Sequence, residues 1–410
     1  MNKRAGGIRV VHPTGNANVR QVLQALNEAE LLDRFCTTLA DRSGSRWLAR
    51  RRYPVPGPRI ETRPLREVAR LAAARLGLDR LTRPTGPLSV DAIYRDLDRS
   101  VARGLGQLPR PQALYGYEDG AEASFRVAGD LGIRRIYELP IAYGPYARRI
   151  TEAAAERRPA WAMTLSGLQD PPEKMERKQQ ELVLADAVVV PSRFVRDSIP
   201  EELLAGKACL TNPYACDLPE TDRPTVPSTQ GPLKVLFVGS MSQRKGLADL
   251  LDGCRDLARQ GGIELHLMGT RLASEAFYRS AGTPFTYHPP ADRATVLQTM
   301  RSCHVLALPS LIEGRALVQL EALACGMALL ITPNTGGDDL IREGDCGQII
   351  PIEEPEAIRQ TLEAWAADRD RLAAMRSRAV IRARDVSWRA YRNRLTAWLS
   401  GLLAEDSHGV

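Results

Sequence analysis

The stretch Lys234-Val-Leu-Phe-Val-Gly239, which runs on into Ser240-Met-Ser-Gln-Arg-Lys-Gly246, decides the fold of the second half of the chain. An apolar run that ends in glycine is typical of a strand buried on both faces of a parallel sheet. A helical pattern follows at Lys245–Arg259, and strand and helix patterns then alternate as far as Thr332. Repeated βα units of this kind predict a parallel sheet with helices on both faces.

The first half of the chain shows the same alternation. Its strand candidates are Ile8–His12, Phe35–Leu39, Ala113–Tyr117, Arg135–Leu139, Ala187–Pro191 and Ala208–Pro213. The helical patterns among them are Asn18–Glu30, Pro64–Leu76, Ala121–Leu131, Pro145–Glu156 and Pro172–Ala185. A second parallel sheet is therefore expected, and two such domains place a ligand cleft between the carboxyl ends of their sheets.

A proline-rich segment separates the two halves. The stretch Asp217–Pro232 carries four prolines and few apolar residues, which is a linker composition. We therefore predict an α/β protein with an N-terminal Rossmann-like domain over 1–217, a linker over 218–232, a second Rossmann-like domain over 233–386 and a C-terminal helix over 387–410. Apolar residues at helical spacing in that last helix predict that it packs back onto the protein, with partner binding as the alternative.

The composition excludes several classes of protein. Apolar residues make up 44% and charged residues 26%, which is ordinary for a folded soluble chain. The seven cysteines form no CxxC pair and the five histidines have no ligand spacing, so we expect neither a disulfide framework nor a metal site. We find no apolar run near the roughly 20 residues of a membrane span, and no secretory signal at the start. The expectation is a cytoplasmic protein with no metal ion and no cofactor.

Positive charge is concentrated near the start of the chain. Residues 1–110 hold 21 Lys and Arg against 10 Asp and Glu, although the whole chain carries a net charge of only +7. The run Arg46-Trp-Leu-Ala-Arg-Arg-Arg-Tyr53 is compatible with peripheral contact with the inner face of an anionic membrane, with another polyanion, or with a solvated loop. Nucleic acid is not expected, because no aromatic-basic recognition motif or zinc finger is visible.

Two cations stand where the first helix of the second domain begins. Arg244 and Lys245 follow the strand that ends at Gly239, with Ser240 at the start of the intervening loop. Backbone N–H groups and the dipole at a helix start favour an anion, and the two side chains add positive charge. We therefore predict a diphosphate site here, although the GxxxxGK[ST] phosphate loop is absent. A basic helix start on the protein surface is the alternative.

Two glutamates frame a second loop and helix, Ser310-Leu-Ile-Glu-Gly-Arg-Ala-Leu-Val-Gln-Leu-Glu-Ala-Leu-Ala-Cys-Gly326. Glu313 lies in the loop, where a carboxylate can accept hydrogen bonds from sugar hydroxyls. Glu321 lies about two turns into the helix and can hold a ribose diol. The N–H groups at the helix start, from Gly314, Arg315, Ala316, Leu317 and Val318, can bind phosphate. Two ordinary glutamates on a helix surface are the alternative.

These residues resemble a known family. Glu313 and Glu321, with seven residues between them, are similar to the E-x7-E motif of retaining glycosyltransferases of family 4. The resemblance includes Gly239 with Arg244-Lys-Gly246, and Asn334-Thr-Gly-Gly337. It is strong over about 232–400 and weaker before that.

The resemblance implies a GT-B fold, with two Rossmann-like domains, the nucleotide-sugar in the second and the acceptor mostly in the first. It implies sugar transfer with retention and without a required metal. By residue match, Lys245 and Arg244 would neutralise the departing diphosphate, Glu313 would contact the donor sugar and Glu321 would hold the ribose. The loop after the first strand, with Gly15, would approach the phosphates from the other domain.

The chain departs from the family pattern at three places. Ser240 stands where the family often has arginine, and the loop His12-Pro-Thr-Gly-Asn16 has one glycine where two are common. The family's frequent active-site histidine falls near Glu138 here. Glu138 and Asp119, which follows the preceding strand, are therefore candidate catalytic residues, with a structural role as the alternative for each.

The function predicted from the sequence is a retaining glycosyltransferase of the bacterial polysaccharide and glycolipid type. It would move a sugar from a UDP- or GDP-linked donor to a hydroxyl of a glycan, lipid-linked or small-molecule acceptor. A nucleotide-sugar 2-epimerase with the same double-domain plan is one alternative. A non-catalytic protein that binds nucleotide-sugar is the other.

Overall fold

A computed structural model gives the structure of the protein and describes residues 6–41, 46–216 and 230–405. It contains two sheets whose strands are all parallel, one in each half of the chain. The prediction of two Rossmann-like α/β domains is therefore confirmed. The predicted linker lies largely outside the described residues.

The first domain is built on a seven-stranded sheet of order β3-β2-β1-β4-β5-β6-β7. Its strands are β1 (Ile8–Val11), β2 (Leu32–Thr37), β3 (Ile60–Thr62), β4 (Ala113–Tyr117), β5 (Arg134–Glu138), β6 (Ala187–Val190) and β7 (Ala208–Thr211). Its helices are α1 (Ala17–Glu28), α2 (Pro64–Arg75), α3 (Asp79–Thr82), α4 (Val90–Gly104), α5 (Glu122–Asp130), α6 (Gly144–Arg157), α7 (Pro172–Leu184), α8 (Arg193–Ser198) and α9 (Glu201–Leu204).

The second domain has a six-stranded sheet of order β10-β9-β8-β11-β12-β13. Its strands are β8 (Leu233–Val238), β9 (Ile263–Met268), β10 (Thr286–His288), β11 (Val305–Leu308), β12 (Ala328–Ile331) and β13 (Gly347–Ile349). Its helices are α10 (Leu247–Arg259), α11 (Glu275–Arg279), α12 (Arg293–Arg301), α13 (Leu317–Ala324), α14 (Asp338–Gly344) and α15 (Pro355–Ala367). Two further helices, α16 (Arg369–Asp385) and α17 (Trp388–Glu405), end the described chain.

Several central strands are buried along their whole length, because helices cover both faces of each sheet. Strands β1, β6, β11 and β12 are buried at every residue. Such runs lack the alternation of a half-exposed strand, which is why they are typical of parallel sheets. The helices that were predicted agree with the structure within a few residues. Helices α3, α4, α8, α9, α11, α14, α15 and α16 and the edge strands β3, β10 and β13 were not predicted.

Helix α17 crosses back from the second domain to the first. Its apolar side, with Tyr391, Leu395 and Leu399 fully buried, packs with Val19 and Val22 of α1 in the core of the first domain. No described helix is long and apolar enough to cross a bilayer.

The two domains contact each other through ion pairs and through apolar side chains. Arg158, after α6, forms ion pairs with Asp249 and Asp252 of α10 at 2.6 and 2.8 Å. Trp161 inserts its ring against Phe277 of the second domain, with ring centroids 4.8 Å apart. These contacts bring the carboxyl ends of the two sheets together, which is where the sequence places the candidate site.

Candidate active site

The turn that carries the two cations is shaped by glycine. Strand β8 ends at Val238, and residues Gln243–Lys245 form a short 3-10 turn that closes on Gly246 at φ +69°. A side chain at Gly246 would strike the carbonyl oxygen of Pro309, so only glycine suits this position. The predicted helix therefore begins at Leu247 rather than at Lys245.

Both cations of this turn reach the same carboxylate. Arg244 donates from Nη1 to Glu313 Oε1 at 2.7 Å and to the carbonyl oxygen of Ile312 at 2.8 Å. Lys245 Nζ forms an ion pair with the same Glu313 oxygen. The structure thus brings the two adjacent cations to a carboxylate that lies 69 positions after Arg244 in the sequence. We call Arg244, Lys245 and Glu313 the cation–carboxylate cluster.

Lys245 is held in a confined environment. Its side chain is only 12% exposed, and its aliphatic stem lies beside Gly239, where a Cβ would come within 3.6 Å of Lys245 Cε. Burial lowers the pKa of Lys245, and the carboxylate of Glu313 opposes that effect. A largely buried cation of this kind is stabilised by an anionic partner, which can be a side chain or a ligand.

The start of helix α13 offers backbone donors beside this cluster. In the described parts of the chain, the N–H groups of Gly314, Arg315 and Leu317 donate to no protein acceptor. Ala316 differs, because its N–H donates to the carbonyl oxygen of Thr335 at 3.2 Å. The N–H group of Val318 likewise donates to no described protein acceptor, so four of the five predicted phosphate donors are available at a positive helix end and one is already engaged.

The side chain of Arg315 performs a different task. It is 1% exposed, forms a bidentate pair with Asp339 at 2.7 and 3.1 Å, and donates to the Tyr214 carbonyl oxygen at 3.0 Å. Because Tyr214 belongs to the first domain, this guanidinium joins the domains. Arg315 was predicted to contact substrate, and only its backbone N–H remains available for that.

Gly314 lies where the two domains come closest. A Cβ on Gly314 would lie 1.7 Å from the carbonyl oxygen of Pro140, directly after β5. The Gly314 carbonyl oxygen accepts a hydrogen bond of 2.6 Å from Ser192, at the end of β6. The loop of the second domain that carries Glu313 is thereby pressed against the carboxyl edge of the first sheet.

Glu321 stands apart from the cation–carboxylate cluster. It lies just over one turn into α13 and forms an ion pair of 3.1 Å with Arg293, at the start of α12. Its side chain is 22% exposed. The structure therefore brings Glu313 and the two cations together but gives Glu321 a separate partner.

Glu138 lies at the end of β5 and is completely buried. Its two carboxyl oxygens accept hydrogen bonds of 2.6 Å from the hydroxyls of Tyr115 and Tyr214. Burial raises the pKa of Glu138, and the tyrosine hydroxyls partly offset that rise. The structure thus encloses the Glu138 carboxyl between two tyrosines.

Asp119 lies among charged residues at the end of β4. Its backbone is in the left-handed region at φ +77°, and its carboxylate is 3.5 Å from Arg177 and 3.7 Å from Lys174. Burial raises the pKa of the neighbouring Glu118 to about 7, although Lys178 lies 3.4 Å away. Sequence reasoning singled out Asp119 but did not predict the basic residues of α7 that lie beside it.

A cavity of about 290 Å³ opens beside Asp119. It is lined by Thr82, Pro84, Ser89, Val90, Asp91, Tyr94, Asp119, Asp170, Pro171 and Lys174. Sequence reasoning missed this cavity because its walls come from four separate parts of the first domain. We call it the Asp119 cavity.

The loop after β1 is fixed by a neutral histidine. His12 Nδ1 accepts hydrogen bonds from the N–H groups of Thr14 at 3.1 Å and Gly15 at 2.9 Å. Burial, with the positive charge of Arg51, lowers the pKa of His12 to about 3. Gly15 has φ +56°, and a side chain there would strike the ring of Tyr53. This loop is therefore rigidly positioned at the carboxyl edge of the first sheet.

The basic run at 46–53 is partly turned inward. Arg51 donates to the carbonyl oxygen of Pro13 at 3.0 Å and pairs with Glu67 at 2.6 Å, while Arg52 pairs with Asp41 at 2.7 Å. The side chains of Arg46 and Trp47 lie outside the described part of the structure. Two of the predicted membrane-facing cations thus have partners within the protein.

Comparison with known sequences finds a family model that matches mainly the second domain. Residues 219–382 match the family model described as glycosyl transferases group 1. A D-inositol 3-phosphate glycosyltransferase from Jonesia denitrificans is 28% identical over 117 residues, which is 28% of either chain. The chain thus aligns with little more than a quarter of the length of that relative.

Solved structures match over nearly the whole chain. A sucrose-phosphate synthase from Thermosynechococcus elongatus superposes with a TM-score of 0.68 at 16% identity, over 98% of this chain and all of that one. A trehalose-6-phosphate protein from Escherichia coli, bound with UDP-2-fluoro glucose, gives 0.62 at 12% identity over 97% and 99% of the two chains. The protein has the GT-B fold, and its second domain carries the sequence signature of glycosyl transferases group 1.

Proposed function

We propose that this protein is a retaining glycosyltransferase. It moves a sugar from a UDP- or GDP-linked donor to a hydroxyl of a glycan, lipid-linked or small-molecule acceptor, and it needs neither a metal ion nor a cofactor. The observation that carries this proposal is the cation–carboxylate cluster, in which Arg244 and Lys245 converge on Glu313 beside the start of α13. The match of residues 219–382 to the group 1 model supports it.

The donor diphosphate would bind by exchange of ionic partners. The cluster holds two cations on one carboxylate, so it carries positive charge and attracts an anion. A diphosphate that bonds to Lys245, Arg244 and the N–H groups at the start of α13 would release Glu313. The freed carboxylate can then accept hydrogen bonds from hydroxyls of the donor sugar.

Catalysis would come mainly from stabilising the leaving group. As the bond to the anomeric carbon breaks, negative charge grows on the diphosphate, and fixed cations and N–H dipoles lower the energy of that state. In this mechanism the acceptor hydroxyl attacks from the face that the diphosphate leaves, and a phosphate oxygen takes its proton. The sugar configuration is then retained without the carboxylate nucleophile of retaining hydrolases.

The remaining roles are assigned to residues around the cluster. Glu321 would hold the ribose of the donor, which requires it to exchange its partner Arg293. The Gly15 loop would approach the phosphates from the first domain, with Ser240 across from it. Asp119 would face the acceptor, whereas Glu138 would reach substrate only after Tyr115 and Tyr214 release it. The protein would act in the cytoplasm, at the inner face of the membrane.

The direct test is an assay with α-linked nucleotide-sugars and a panel of acceptors, followed by proton NMR of the product. A thermal-shift screen first selects the donor, because a ligand that binds only the folded state raises its apparent stability. We expect an α-linked product that forms only when acceptor is present. Release of a 2-epimeric free sugar from donor alone would instead establish the epimerase alternative. A donor that binds and is never consumed would establish the non-catalytic one.

A further inference from the structure

Helix α2 exposes its large apolar side chains to solvent and turns Glu67 and Ala73 toward the protein. Leu65, Val68 and Leu76 are 85%, 52% and 73% exposed. Glu67, by contrast, is 1% exposed. Positions 65, 68, 72 and 76 share one side of a helix, so Leu65, Val68 and Leu76 form a single outward stripe. A surface helix of a globular protein ordinarily turns such a stripe inward, so α2 is inverted.

One ion pair, between Glu67 and Arg51, attaches the inner face of α2 to the rest of the protein, and Arg70 of the same helix also bonds to Glu67. The buried carboxylate of Glu67 pairs with Arg51 at 2.6 Å and accepts two hydrogen bonds from Arg70, at 2.7 and 3.0 Å. Ala73 is the other buried residue of the helix. The helix is therefore held in place without using its leucines, which remain available to contact something else.

The exposed apolar residues continue past α2 into α3 and the start of α4. Among the described residues, twelve large apolar side chains are exposed, and seven of them lie between positions 65 and 90. These seven define the α2–α3 surface: Leu65, Val68, Leu71, Leu76, Leu78, Leu81 and Val90. Concentration of exposed apolar side chains in one part of a surface indicates a docking site.

The same surface carries positive charge. Between positions 63 and 83 the chain has six arginines, and the only acidic residues are Glu67 and Asp79. Glu67 is buried and paired with Arg51 and Arg70, and two of the six arginines, Arg63 and Arg66, pair with Glu61 and Asp96. The outward charge therefore comes from the other exposed arginines. Arg75, Arg80 and Arg83 are all exposed. Leucines interspersed with arginines on an exposed helix match the interface of a bilayer that contains anionic lipids.

We propose that the α2–α3 surface docks the protein onto an anionic phospholipid bilayer. The leucines enter the boundary between headgroups and acyl chains, and the arginines contact lipid phosphates. The charge of the surface favours this occupant over a second copy of the chain, whose α2–α3 surface would carry the same positive charge and repel it. This surface, rather than the basic run at 46–53, makes the membrane contact.

The Asp119 cavity is lined both by residues of this docking surface and by one predicted site residue, Asp119. Thr82, Pro84 and Val90 form part of its wall and belong to the same segment as the exposed leucines. Asp119 lies at its other side, at the carboxyl edge of the first sheet. If the proposed function holds, an acceptor anchored in the bilayer would enter here, and the substrate class is then a lipid-linked hydroxyl compound.

Vesicle co-sedimentation of the full chain tests the docking. The probes are vesicles of phosphatidylcholine alone and vesicles with added phosphatidylglycerol. We expect binding to the anionic vesicles at least tenfold tighter than to the neutral ones, and weaker binding at high salt. The variant Leu65→Ser/Leu76→Ser should lose tenfold or more. The control Leu108→Ser/Ile381→Ser, at sites 82% and 61% exposed elsewhere on the protein, should bind as wild type does.

A charge variant separates the two contributions. Arg75→Gln/Arg80→Gln should weaken binding to anionic vesicles severalfold, while Arg193→Gln/Arg342→Gln, which removes two exposed arginines elsewhere, should not. Wild-type binding by the leucine variant would overturn the proposal. So would concentration-dependent dimerisation in solution that the same variant abolishes, because the occupant would then be a second copy. Neither measurement needs donor or turnover, so failure here leaves the proposed function to be judged by the NMR assay.

Discussion

Two carboxyl groups, one in each domain, lie at or just beyond the carboxyl end of a parallel strand. Their surroundings differ in charge and in exposure to solvent. Glu313 receives two cations, and its side chain is 11% exposed. Glu138 is sealed from solvent and receives two neutral tyrosine hydroxyls. The two cations can bond to a ligand's phosphates in place of Glu313 and leave its carboxylate free, whereas the carboxyl enclosed by hydroxyls has no charged partner to release. We call Glu138, Tyr115, Tyr214 and the nearby His12 and Tyr117 the tyrosine cluster.

Because of this difference, we expect one of the two clusters to respond to ligand and the other to pH. The cation–carboxylate cluster should respond to ligand, because its charges are only partly neutralised within the protein. The tyrosine cluster should respond to pH and to mutations that remove a buried hydrogen bond, because its groups are sealed from solvent and bonded to one another. Four predictions, given in order of decreasing expected effect, test whether the two clusters differ in this way.

Lys245→Ala should have the largest effect. If Lys245 stabilises the leaving diphosphate, its removal should lower kcat/KM by about 10³-fold or more, or ~4 kcal/mol of transition-state stabilisation. Thermal denaturation should change little, because the side chain contributes no apolar core. The measurement is steady-state kinetics with the donor found by the thermal-shift screen.

The matched control for that variant lies in β8, the strand that precedes the turn of Lys245. Lys234, at the opposite end of β8, pairs with Glu264 at 3.6 Å and is 39% exposed. Lys234→Ala should therefore keep wild-type kinetics. Near wild-type turnover in Lys245→Ala would remove this lysine from the proposed mechanism.

Lowering the pH should act on the tyrosine cluster through His12. The pKa of His12 is about 3 in the folded protein, against about 6.5 for an unperturbed histidine. Between these values the unfolded chain takes up a proton that the folded chain does not, so stability falls as pH falls. At 1.36 kcal/mol per pKa unit, His12 alone should lower the free energy of unfolding by about 3 kcal/mol from pH 6.5 to pH 4.

The variant His12→Asn isolates this contribution. The asparagine oxygen can accept from the same loop N–H groups and does not titrate. Urea unfolding at each pH should therefore give a flatter profile for His12→Asn than for the wild type over that range. Identical profiles for the two proteins would show that another group is responsible.

Tyr115→Phe should cost less, and only in stability. The substitution removes the hydroxyl that donates to Glu138 Oε2 and leaves a buried carboxyl oxygen without that donor. The expected loss is about 1–3 kcal/mol in the free energy of unfolding, measured with urea. Tyr287→Phe, which removes a half-buried hydroxyl bonded to Gly269 in the second domain, should cost about 1 kcal/mol or less.

The kinetics of Tyr115→Phe distinguish the two interpretations of Glu138. If the carboxyl serves only the structure, kcat should match wild type at temperatures where both proteins are folded. A large fall in kcat with an unchanged KM for donor would instead support the catalytic role that the family pattern suggested.

Sequence reasoning predicted the elements that depend on local pattern. The strands Ala113–Tyr117 and Ala187–Val190 and the cation turn were recognisable because apolar runs, glycines and charges are adjacent in the chain. The pairing of Arg244 and Lys245 with Glu313 was expected only as a shared cleft, and the structure adds the direct ionic contact.

The features that sequence reasoning missed depend on distant residues or on an exception to a pattern. Arg315 joins the domains through Tyr214, which lies 101 positions earlier, and no spacing signals that contact. Helix α2 was predicted, but its apolar pattern would place Leu65 and Leu76 inside, and the structure exposes them. Only the burial of the opposite face, fixed by Glu67, shows that the helix is inverted.

Arg293→Ala should have the smallest effect and bears on the assignment of Glu321. The pair is partly exposed, with Arg293 at 49%, so its loss should change the free energy of unfolding by less than about 1 kcal/mol. Because the variant releases Glu321 from its partner, donor binding should be unchanged or slightly tighter. Glu321→Ala should weaken donor binding about tenfold, since a charged hydrogen-bond acceptor for the ribose is lost. Isothermal titration of both variants with donor gives the comparison, and equal affinities for the two would place the ribose elsewhere in the second domain.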